Sequence, residues 1–124
     1  MLIPNQMLIP NKNPREILTR ERCYVRELLN DAAVPQASIA ATRVPPGVAT
    51  ELHRLSVAEW YIIESGEGLM EVGGGAPFAV TPGDVVAISP QESQRITNTG
   101  TADLTFLCLC LPAFAPECYE SLES

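Results

Sequence analysis

The sequence predicts an all-β domain, a sandwich or barrel of many short strands. Three observations carry this. Apolar residues recur in short runs, several with the period of two that lines one face of a strand. The runs are separated by turn chemistry, drawn from 11 prolines and 8 glycines, with Asp or Asn beside many of them. After residue 30 no stretch has helical periodicity, so a doubly wound fold with helices between its strands is excluded.

A chain of 124 residues, 46% hydrophobic, is long enough for one domain with a sizeable core. Its net charge of −7, with one lysine and seven arginines, argues against a nucleic-acid partner, which needs a basic face to neutralise phosphates. No apolar run approaches the about 20 residues of a membrane-spanning helix. The start lacks a basic segment and is broken twice by proline, so it does not read as a signal peptide. Four cysteines match no zinc-site spacing; Cys108 and Cys110 share one face of one apolar strand, a poor geometry for a mutual disulfide. A reduced, cytoplasmic protein is the expectation.

Residues 1–30 read as an N-terminal arm and lead-in segment, and residues 31–124 as the β domain. The arm repeats itself, Met1-Leu-Ile-Pro-Asn5 and then Met7-Leu-Ile-Pro-Asn11. It is either a loose terminus or a strand that adds to a partner subunit. From Pro14 to Asn30, helix formers fill the first half, while Cys23 to Leu29 has the β-propensity of a strand. Asp31 to Pro35 is a turn. Ser38 to Val44 is a strand that stops at Pro45-Pro46-Gly47. Further strands are expected over 68–72, which closes on three glycines, and over 78–80, before Thr-Pro-Gly-Asp. Others follow over 85–88 and 93–98. Residues 104–111 are apolar at nearly every position, so both faces need cover: one from the barrel interior, the other from a sheet or a second subunit. The tail from Pro112 is turn-rich and acidic.

The stretch from Gly47 to Gly66 holds the single histidine, His53, with Glu59 six residues on. Strand parity puts His53, Leu55, Glu59 and Tyr61 toward one interior. An imidazole and a carboxylate in one interior suit a small metal site or a buried hydrogen-bonded pair. By the same parity Trp60, Arg54 and Arg95 point outward. Arg43 pairs with an anionic substrate or, as such arginines more often are, is solvated or salt-bridged at the surface. Asn98 is expected to bond backbone at a turn, and Tyr61 to present its hydroxyl either to the pocket or to water.

Gly47, His53, Glu59 and Gly66 fall at the spacing of the first motif of the cupin family, with Leu55 in place of its second histidine. Gly83 and Asn98 match the second motif, in which Ser89 replaces the proline, Gln91 the glycine and Gln94 the histidine. Over roughly residues 38–111 the chain therefore resembles a small single-domain cupin. The resemblance implies a double-stranded β-helix, the cupin jelly-roll barrel, with a site in the barrel mouth and a homodimeric assembly. It also implies a divalent-metal site reduced to His53, Glu59 and Gln94, holding manganese, iron, nickel or zinc.

Two functions follow from that resemblance. In one, the metal-loaded barrel acts on an oxygen-rich small molecule as an isomerase, cyclase or oxygenase, with Glu59 and Tyr61 as catalytic groups. In the other, His53 and Glu59 form a metal-free pair in a barrel that binds a sugar or a carboxylate.

Overall fold

The computed structural model describes residues 8–11 and 15–123. Among them are eleven strands: β1 (Ile17–Leu18), β2 (Tyr24–Leu29), β3 (Ser38–Val44), β4 (His53–Leu55), β5 (Ala58–Ser65), β6 (Gly68–Val72), β7 (Phe78–Val80), β8 (Val85–Ile88), β9 (Ser93–Asn98), β10 (Leu104–Leu111) and β11 (Tyr119–Ser121). The other regular element is a single 3-10 turn, Pro116–Cys118. Among the described residues no helix is long and apolar enough to cross a membrane.

The strands form two antiparallel sheets. One runs β1-β2-β3-β10-β5-β8 and the other β11-β4-β9-β6-β7. Successive strands from β4 to β10 alternate between the sheets, except for the β6–β7 hairpin. This is the double-stranded β-helix expected of the sequence. The interior is filled from both sheets: Ile63, Leu104 and Phe106 meet Met70 and Ile96, each at most 2% exposed. Burying a side chain of this size stabilises the fold by about 1.5–3 kcal/mol.

Most strand boundaries fall where turn residues and period-two patterning put them. The segment before β2 differs. Its helix formers give a tight β1–β2 hairpin instead, closed by Thr19 N–H to Cys23 O at 2.9 Å and Arg22 N–H to Thr19 O at 3.1 Å. Pairing with the sheet outweighs a propensity worth only tenths of a kcal/mol per residue. The lead-in segment thus supplies two strands of the larger sheet. The first copy of the Met-Leu-Ile-Pro-Asn repeat lies outside the described residues.

The outward-facing arginines are engaged at the surface. Arg54 pairs with Glu120 at 2.9 Å and Arg95 with Glu71 at 2.8 Å. Arg43 bridges Glu16 and Asp103 rather than facing the interior. Asn98 is fully buried, donates to Val44 O and Ala102 O, and accepts from the Gly100 N–H, which ties the β9–β10 turn to β3. Gln91 occupies a left-handed conformation, φ 71°, where the second motif has glycine. Its N–H bonds Leu55 O at 2.7 Å, which holds the glutamine in a backbone state that favours glycine.

Candidate functional site

His53 and Glu59 both point inward, but not from one strand face. The chain crosses between sheets at Ser56–Val57, so β4 carries His53 and Leu55 on the smaller sheet while β5 carries Glu59 and Tyr61 on the larger. The four side chains, 3–6% exposed, therefore approach from opposite walls. Between the walls lies a cavity of about 250 Å³, and all four residues line it.

The His53 ring is fixed on two sides. Its Nδ1 lies 2.7 Å from Glu51 O, an acceptor only, so Nδ1 carries the proton and Nε2 is left as the basic nitrogen. Tyr119 stacks on the ring at 4.6 Å, and its hydroxyl in turn bonds the Glu51 carboxylate. That bond holds the Glu51 carboxyl below its ordinary range.

Glu59 is held differently. Its Oε2 receives only a weak contact from the Cys110 thiol at 3.7 Å, and its Oε1 is buried with no hydrogen-bond partner. Burial raises its carboxyl to about 7, a rise that the Gln94 amide opposes in part by its proximity, without hydrogen-bond geometry to Oε1. A carboxyl in that range both gives and takes protons near neutrality.

Tyr61 turns its hydroxyl neither to the cavity centre nor to water. It donates to Gln94 Oε1 at 2.6 Å across the sandwich, and its ring stacks on Phe106 at 4.5 Å. Gln94, opposite His53 in the β4–β9 register, is 1% exposed and does not line the cavity. Its amide nitrogen is buried without a partner. The expected ligand set is thus split: His53 and Glu59 reach the cavity, whereas the Gln94 oxygen is engaged behind it.

Leu55 lines the cavity with a side chain that cannot ligate. No group of three or more His, Cys, Asp or Glu side chains that could hold a metal ion occurs among the described residues. One imidazole and one carboxylate fall short of the three protein ligands usual at a catalytic transition-metal site. The residues present do not fit a family-type metal centre.

Sequence patterning missed two contributors. Tyr119 arrives on β11, from a tail read as turns, and Glu21 arrives from the turn before β2. Burial raises the Glu21 carboxyl, with His53 opposing that rise. The alternation Tyr-Glu-Ser-Leu at 119–122 was the one local sign of β11. Nothing local marked Glu21.

The family model for the cupin domain matches residues 41–110. The chain belongs to the cupin family. Solved structures agree. A predicted oxalate decarboxylase from Thermotoga maritima is 30% identical, with TM-score 0.73, over 86% of this chain and 99% of that one. A cupin-2 domain protein from Rhodospirillum rubrum is 26% identical, with TM-score 0.66, over 72% of this cupin and 59% of its own length. This cupin thus spans under two thirds of the Rhodospirillum chain. A polyketide cyclase from Streptomyces resistomycificus shares the fold at 16% identity and TM-score 0.77, over 96% of this cupin and 87% of the cyclase. None of the curated proteins matches in sequence.

Proposed function

We propose that this chain is a small-molecule-binding cupin barrel, cytoplasmic, whose cavity works without a resident metal. The observation that carries the reading is the split ligand set, with Leu55 on the cavity wall and the Gln94 oxygen held by Tyr61. Among the polar groups that line the cavity, which include Glu21 and Glu27, the buried acid–base pair is His53 and Glu59. Together they suit binding, and they suit proton transfer of the isomerase or cyclase type, with His53 as base and Glu59 as donor or acceptor. Tyr61 serves by fixing Gln94 and the wall beside Glu59.

A second reading, a divalent ion on His53 and Glu59, is favoured by the unpartnered Glu59 Oε1. Elemental analysis of the purified protein beside His53→Ala, before and after chelation and metal reconstitution, decides between the two. The expected result is no stoichiometric metal and no loss of thermal stability on chelation. About one ion per chain, lost in the variant, overturns the metal-free reading.

The assembly follows from the outer face of the larger sheet. Trp60, Ile62, Leu107 and Leu109 are half-buried there, and Val85 and Leu111 are 58% and 40% exposed. In the register Trp60 lies opposite Leu109 and Ile62 opposite Leu107, which makes the apolar patch continuous. A homodimer that covers this face is the assembly we propose. Light scattering at micromolar concentration should give twice the chain mass; a monomer would refute it.

A further inference from the structure

The chain after β10 returns across one end of the cavity. At the β2–β3 end of the larger sheet, Ala113 N–H donates to Pro35 O at 3.1 Å and Phe114 N–H to Ser38 Oγ at 2.8 Å. Asn30 Nδ2 donates to Phe114 O there at 2.9 Å. Beyond the 3-10 turn the segment joins the smaller sheet as β11, paired with β4, and Leu122 N–H donates to Leu52 O at 2.8 Å. Residues 112–123 thus form a strap from one wall to the other, and its Phe114 and Tyr119 side chains line the cavity. No residue of the strap is buried. A segment with so little buried surface opens at a lower free energy than the core strands.

The far end of the strap is fastened by a residue held at a conformational disadvantage. Arg22, in the β1–β2 hairpin, has φ 70°, in the left-handed region that suits glycine and not a side chain. Its guanidinium makes bonds that glycine could not. Nε donates to Ala49 O at 2.9 Å, and Nη1 and Nη2 donate to the two carboxylate oxygens of Glu123 at 3.2 and 2.7 Å. Glu123 Oε2 also accepts from Leu52 N–H at 2.8 Å. The pair lies at the surface, but it is bidentate and tied to backbone at both ends, the geometry in which a surface pair holds a contact. It joins the last residue of the strap to the hairpin whose Thr19, Glu21 and Cys23 line the cavity.

We propose that residues 112–123 are a gate: the strap lifts as a unit to admit a small molecule to the cavity, and the Arg22–Glu123 pair is its latch. Lifting it takes the Tyr119 ring off His53, so the imidazole keeps its stacked partner only while the strap is down. The gate operates with or without an ion on His53 and Glu59.

The cavity carries its own reporter of opening. Cys110 lines it at 3% exposure, and burial raises its thiol, so the closed state does not present a reactive thiolate. Full-length protein is treated with iodoacetamide, and alkylation of Cys110 is followed by tandem mass spectrometry. Amide hydrogen exchange of the strap, β6 and β9 is measured on the same sample, each rate corrected for that of an unfolded peptide. In the parent, Cys110 and the strap amides should open together, at least about tenfold more often than the β6 and β9 amides. Arg22→Gly should speed Cys110 alkylation at least about threefold and leave the urea midpoint near that of the parent. Relief of the left-handed backbone is kept in the closed and open states alike, and it offsets the lost pair in global stability. Glu123→Ala, which leaves the hairpin backbone alone, should give the same acceleration. Alkylation of Cys110 no faster than exchange of the β6 and β9 amides overturns the proposal, because the thiol is then reached only by global unfolding. So does a strap that exchanges faster than Cys110 reacts, or an alkylation rate that neither variant changes.

Discussion

Replacing Glu59 with glutamine tests the electrostatics of the cavity from the side of stability. The Glu59 carboxyl is raised from 4.5 to about 7 by burial, so the folded protein holds this proton more tightly than the unfolded chain. The contribution is fully present below pH 4.5, is lost as the pH rises through 7, and is flat above that. At 1.36 kcal/mol per unit the span is about 3 kcal/mol, undiminished by solvent because the side chain is 6% exposed. Glutamine has nearly the same shape and no charge. The stability of Glu59→Gln relative to the parent should therefore shift by about 3 kcal/mol in favour of the variant between pH 4 and pH 8. Other carboxyls, such as Glu123, held down to about 2 by Arg22, act in the opposite direction but cancel in the difference. Urea unfolding in EDTA at a series of pH values measures it, and at about 2 kcal/mol per molar the midpoints should diverge by about 1.5 M. A difference that stays constant with pH would refute the reasoning. A variant less stable than the parent at pH 8 would show that a cation holds Glu59 ionised in the fold.

Three further substitutions probe the scaffold and the vacant ligand position. Asn98→Ala removes three hydrogen bonds at one turn, one buried and two part-buried, and leaves the Val44 and Ala102 carbonyls without their donor, so chemical denaturation should show a loss of about 2–4 kcal/mol. Gln91→Val puts a β-branched residue at φ 71°, which should cost about 1–2 kcal/mol, whereas Gln91→Gly should cost nothing; equal effects would argue against the left-handed backbone there. Leu55→His adds an imidazole to the cavity wall beside His53 and Glu59. Zinc or manganese affinity, read by calorimetry, should then rise at least about tenfold over the parent, and no change would remove residue 55 from the site.

The motif departures read differently in the sequence and in the fold. Ser89 in place of proline keeps an N–H, and that group donates to Glu92 Oε1 at 2.8 Å. Gln91 in place of glycine keeps the turn at the expense of backbone strain. Both substitutions are therefore legible as losses in the sequence, and only the fold shows what compensates them.

The sequence by itself determined β3 and the strands from β6 to β10, because alternation and turn chemistry are local properties carried by neighbouring residues; it did not mark the break that divides β4 from β5. It also placed His53 and Glu59 in one interior, although not by one continuous parity: the chain changes sheets at Ser56–Val57, and each strand separately turns its residue inward. What it left open depends on contacts between distant segments. Helix formers before β2 gave way to sheet pairing, and Tyr119 reached His53 across 66 positions of sequence. Whether Gln94 offers its oxygen to the cavity was decided by the Tyr61 hydroxyl on the opposite sheet. The acidity of the cavity was decided by the turn and strand that bring Glu21 and Glu27 to its wall. A side chain's direction is set locally, but its partners, and so its charge and chemistry, are set by what the tertiary fold packs against it.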